Sequence, residues 1–166
     1  MFELIDWGVI MKVVFSMLFA LFVSGVHAEE SNPASCKPIM VQGESVMLST
    51  EKPTLVLIHN LSKADLWITH PVSEPSANAG WSSRLQMGHW SALALDKKSF
   101  ELSCIESKPG HEQQVPCTGA ISVCQWPSVT MPAQATGTFW AGEDMPLSAL
   151  TTDLGGRGFE LPASPQ

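Results

Sequence analysis

The chain predicts an all-β fold, an antiparallel β-sandwich with one short C-terminal helix, and three observations carry that prediction. From residue 38 onward, short apolar runs recur at close spacing, each stopped by Pro, Gly or a polar cluster. Within the runs, apolar residues alternate with period two and are rich in Val, Ile, Thr, Phe and Trp. A spacing of three and four shows once, in Leu147, Leu150 and Leu154. About eight strands with no helix alternating between them fit a cupredoxin-like or immunoglobulin-like sandwich. The Cys-Trp-Cys spacing of an antibody domain is absent.

Residues 11–28 (MKVVFSMLFALFVSGVHA) read as a secretory signal peptide: Lys12 is the positive start, residues 13–23 are apolar, and Val26-His27-Ala28 ends on small residues at the cleavage positions. Cleavage is expected after Ala28. Residues 1–10 carry Glu3 and Asp6 where a signal wants a cation, so Met11 is the expected start and 1–10 a start-site artefact. The run is too short, and too soon followed by Glu29 and Glu30, for a membrane span, and no second long apolar run follows. The expectation is a periplasmic or secreted mature chain of 138 residues. It forms a single sandwich domain over 29–160 with a flexible tail at 161–166.

Residues 29–38 are a polar leader with two prolines. Residues 38–41 and 45–49 flank Gln42-Gly43-Glu44, which reads as a hairpin turn. Residues 54–59 (TLVLIH) are apolar on both alternating faces, as in a strand covered on both sides. Residues 65–70 (DLWITH) form the next strand, cut by Pro71, and 72–80 read as a loop. Leu66, Ile68 and His70 share one face, as Leu55, Leu57 and His59 do. Short strands follow at 81–86, 89–95 and 99–105, the last placing Phe100, Leu102 and Cys104 together. Residues 106–116 read as a loop, 120–126 as the partner strand of 99–105, and 137–141 as the last strand. The helix is expected over 146–154, with Asp144 capping its start and Gly155-Gly156 ending it in a left-handed conformation.

Cys36, Cys104, Cys117 and Cys124 all lie in the exported part, an even number that predicts two disulfides in an oxidising compartment. Three pairings are possible. The preferred one joins Cys104 to Cys117 across a polar loop and Cys36 to Cys124, tying the leader to the sheet. None of the spacings is CxxC, which speaks against a zinc ribbon or a thioredoxin-type centre.

Cleavage leaves eight Lys and Arg against fourteen Asp and Glu, a formal charge of −6. Nucleic acid and anionic membrane surfaces are poor partners for such a chain. His59, His70 and His89, with Met87 nearby, would be the ligands of a copper-type site on a sandwich rim, but no cysteine has the following His and Met that blue copper needs, and histidines at strand ends are more often half-buried residues with a hydrogen-bond partner. The expectation is no metal and no cofactor. Hydrolase chemistry lacks a GxSxG elbow, and His111 has no nucleophile beside it in sequence, so no catalytic residue is assigned. Glu143 and Asp144 are neighbours facing opposite ways. Trp67, Trp90 and Trp140 read as core, and Trp81, beside the long loop, as a surface residue. Trp126 joins these four as a candidate for a carbohydrate or partner platform. Asn60-Leu61-Ser62 is a sequon-like triplet, which would matter in a eukaryotic secretory pathway.

Three runs, LVLIHNLSKADLWITHP, GWSSRLQMGHWSALALDKKSFELSCIES and GTFWAGEDM, resemble the EnhB-type enhanced-entry family of Legionella and related intracellular bacteria over most of residues 36–160. The resemblance implies an exported accessory factor for entry into, or persistence in, host cells, and it carries no active-site residues. The leading expectation is therefore a non-catalytic exported protein that binds a protein or cell-envelope partner. The alternative is a periplasmic metal-binding sandwich using His59, His70 and His89.

Overall fold

The computed structural model describes residues 32–33, 35–71, 81–126 and 129–162. The readings of 1–10 and 11–28, of the loop at 72–80 and of most of the tail fall outside them, as does the side chain of Trp81.

The described residues form strands β1 (Lys37–Ile39), β2 (Ser45–Leu48), β3 (Thr54–Asn60), β4 (Leu66–His70), β5 (Trp81–Leu85), β6 (Trp90–Leu95), β7 (Phe100–Glu106), β8 (Gln113–Val115), β9 (Ile121–Trp126) and β10 (Phe139–Met145), then helix α1 (Leu147–Gly156). They build two antiparallel sheets. The first has the order β1-β9-β3-β6-β10 and the second β2-β7-β4-β5. β8 pairs with Cys104, Ile105 and Glu106, continuing the edge that β2 occupies beside the start of β7. The all-β expectation with one C-terminal helix holds.

Side-chain alternation decides which face each sheet buries. Val56, Ile58, Leu93, Leu95 and Val123 of the first sheet meet Val46, Leu48, Leu66, Ile68 and Leu102 of the second in the sandwich core. The intervening residues of the first sheet, Leu55, Leu57, Trp90, Ala92, Ala94 and Trp126, pack instead beneath Leu150, Leu154 and Phe159. The first sheet is thus covered on both faces, by the second sheet and by the C-terminal segment. That is why β3 is buried at every position and why its sequence shows no polar alternation. Gly142 on β10 lies directly under Leu150, where a β-carbon would collide with the leucine methyl. The glycine is what lets the helix lie close to the strand.

Both disulfides form in the preferred pairing. Cys36–Cys124 anchors the leader beneath the helix-covered face, and Cys104–Cys117 lies in the sandwich core. Thiols so paired persist in an oxidising, extracytoplasmic setting, and among the described residues no helix is long and apolar enough to cross a membrane.

Several local expectations are corrected. Gln42-Gly43-Glu44 is not a hairpin turn, because β1 pairs with β9 in the first sheet whereas β2 pairs with β7 in the second. The segment is a crossing between sheets, and Gly43 supplies the left-handed residue that redirects it. β9 is not the partner of β7; it lies between β1 and β3. The expected loop at 106–116 contains β8, drawn back onto β7 beside the Cys104–Cys117 bridge. β10 runs on to Met145, through two register shifts around Gly142. The helix starts behind Pro146 without a side-chain cap, so Asp144 does not cap it. Its end is displaced too: Gly155 and Gly156 are helical and Gly158 takes the left-handed conformation. Gly158 N–H donates to Gly155 O at 3.1 Å and Phe159 N–H to Leu154 O at 3.1 Å, a Schellman ending whose apolar contact is Phe159 against Leu154.

Candidate functional site

The free surface of the second sheet follows from the same alternation that built the core. Leu66 and Ile68 point inward, so Trp67 and Thr69 point out, and likewise Glu101, Ser103 and Ile105 on β7, Ser45 and Met47 on β2, and Ser82 and Arg84 on β5. The register arranges these residues in rows. Arg84, Trp67, Ile105 and Gln114 stand side by side across β5, β4, β7 and β8. The next row is Ser82, Thr69, Ser103 and Ser45, four hydroxyls across β5, β4, β7 and β2. Glu101 beside Met47 begins a third. No described element covers these rows.

Trp67 is therefore not a core residue. It is half-buried on the open face, and its indole Nε1 donates to Ser107 Oγ at 3.1 Å. Trp90 and Trp126 are buried under the helix, and Trp140 is half-buried against the sandwich core. Arg84 forms an ion pair with Asp65 at 2.6 Å. The charge of the aromatic row is thereby balanced at its edge.

The histidines do not converge. His59 and His70 sit on strands of different sheets: His59 stacks on Trp90 with ring centroids 4.1 Å apart, and His70 on Phe100 at 4.1 Å. His111 is exposed in the loop before β8. Among the described residues no group of three or more His, Cys, Asp or Glu side chains is placed to hold a metal ion. β3 and β4 follow one another in sequence but belong to different sheets, so similar positions along them reach different layers.

His89 has a different role, missed in the sequence. Its Nδ1 lies 3.0 Å from Asp144 Oδ1, and the same carboxylate accepts Gln86 N–H at 2.7 Å and Gln86 Nε2–H at 2.8 Å. Asp144 is held in the left-handed region (φ 52°) and donates its own N–H to the buried Ser91 Oγ at 3.0 Å. The knot joins the β5–β6 turn to the end of β10. Burial works to raise the Asp144 pKa, but the Gln86 and His89 hydrogen bonds and the His89 charge outweigh it and hold the carboxyl below its ordinary value of 3.8. A depressed carboxylate contributes stability above its unfolded pKa and loses it as pH falls through the lower folded value. Wild type should accordingly lose its stability advantage over Asp144→Ala as pH drops through and below about 3.8, read from melting curves of both at stepped pH. A constant gap down to strong acid would contradict this.

Asn60 is 1% exposed, and its amide is fully used: Nδ2 donates to Ala64 O and Leu85 O, both at 2.8 Å, and Oδ1 accepts Ser62 N–H at 2.9 Å. The sequon-like triplet is a turn device. An open cleft of about 550 Å³ lies beside it, lined by Lys63, Ala64, Glu106, Lys108, Val115 and Gly119. Lys108 is paired with Glu106 at 2.5 Å, and Ser62 Oγ lies 2.7 Å from both Asn60 Oδ1 and Ala64 O.

The described residues define a disulfide-locked β-sandwich in which one sheet is covered on both faces and the other on one. Compared with protein families, curated proteins and solved structures, the chain finds no match in any of the three.

Proposed function

We propose that the chain is an exported, non-catalytic binding module that presents the open face of its second sheet to a protein or cell-envelope partner, in the periplasm or after release. One observation carries the reading: among the described residues, the first sheet is covered on both sides and the second is left with an uncovered face that has Trp67 at its centre. Two bridges that suit an oxidising compartment support export. The enhanced-entry resemblance adds the expected setting, entry into or persistence in host cells.

Ser103→Lys tests it. The side chain is outside the core, so the melting temperature should stay within about 2 °C, consistent with the small effect of surface substitutions. A deletion strain complemented with the variant should nonetheless lose the wild-type phenotype in infected cells. Full complementation by a stably folded Ser103→Lys protein would refute the reading.

A further inference from the structure

We infer that the open face of the second sheet binds a neutral polysaccharide, a glycan chain laid across the strands with one sugar ring against Trp67. This rests on the binding-module reading and names the partner chemistry of that face.

The hydroxyl row is the first argument. Neighbouring strands lie about 4.8 Å apart, so Ser82, Thr69, Ser103 and Ser45 form a ladder of evenly spaced hydroxyls. Each hydroxyl both donates and accepts, as the hydroxyls of a sugar do. A row fixed by the sheet presents them without the ordering cost of a mobile loop. Among the described residues, none of the four side chains is engaged in a hydrogen bond within the protein.

Trp67 is the second. It lies in the adjoining row, between Arg84 and Ile105, and its Nε1–H bond to Ser107 fixes the indole. A broad aromatic surface beside polar groups suits the apolar face of a pyranose, whose rim is polar.

Charge is the third. The protein is acidic, which repels polyanions, and on this face Arg84 is already paired with Asp65. A phosphorylated or acidic ligand would call for free Arg or Lys in the rows, and the rows hold none. A protein partner would call for a cluster of large anchors filling pockets; the centre of this face is one Trp, one Ile and small hydroxyl residues.

The test is depletion binding of the mature, oxidised chain on insoluble chitin and on cellulose, with phosphocellulose as the anionic matrix. Retention on chitin or cellulose is expected to be indifferent to salt, to weaken roughly tenfold in Trp67→Ala, and to be abolished in Ser103→Lys, with melting curves confirming the fold of each variant. Retention that survives both substitutions overturns the inference, as does retention on phosphocellulose alone or on none of the three. If the wild type ignores every matrix while Ser103→Lys still abolishes function in infected cells, the glycan inference fails and the binding-module reading stands. If Ser103→Lys changes nothing in either assay, both fail.

Discussion

Replacing Cys36 and Cys124 together by Ala is expected to lower the melting temperature by roughly 15 °C. The bridge spans 88 residues, and removing such a constraint from the unfolded chain is worth about 4.5 kcal/mol on the chain-entropy estimate. Each kcal/mol corresponds to about 3–4 °C in a domain of this size. Cys104–Cys117, with a separation of 13, contributes less, about 3 kcal/mol. These sums are large against the roughly 5–15 kcal/mol of a typical domain. Reductant should therefore lower the melting transition further than either pair of substitutions alone. Thiol titration of the denatured, unreduced protein should find no free thiol, matching the structure. A shift of only a few degrees on full reduction would contradict the account.

Trp90→Ala is the most damaging single substitution expected in the helix-covered layer. Trp90 is fully buried, stacks on His59 and lies among Leu57, Ala92, Leu150 and Leu154. Truncating so large a buried ring typically costs about 3–5 kcal/mol through lost transfer energy and the cavity left behind. Because that cavity opens between the first sheet and the C-terminal segment, amides of α1 should lose hydrogen-exchange protection before those of β7 and β4. Uniform loss across all strands would mean that the helix is not a separate layer resting on the sheet.

How much of this was legible in the residues depends on the range of the signal. The unbroken apolar run of β3 announced a strand covered on both faces, because polar alternation survives only where one face meets water. The period of Leu147, Leu150 and Leu154 placed α1 within two residues at its end. An even number of exported cysteines predicted two bridges, and of the three possible pairings the one that closes the polar loop and ties the leader to the sheet is the one that forms.

What failed was longer in range. A turn such as Gln42-Gly43-Glu44 looks the same locally whether it returns a strand to its neighbour or hands it to the opposite sheet; only the pairing of β2 with β7 decides. The same ambiguity put His59 and His70 on one imagined rim, although β3 and β4 belong to different sheets. Asp144 was misread because an acid just before a helix usually caps it; here the irregular end of β10 turns it toward Gln86 and His89 instead. The open face was hidden for a related reason. Trp67 is apolar, and only the register that sets it beside Arg84 and Ile105 shows that it stands outside.

The central claim is that the bare face of the second sheet is the working surface, and site-specific photo-cross-linking in the native cell tests it most directly. A photoreactive side chain placed at Thr69 or at Ser103 should yield a discrete adduct of higher mass. The same group at Thr152, exposed on α1 in the opposite layer, should yield none. Adducts at Thr152 with none at Thr69 and Ser103 would contradict the account.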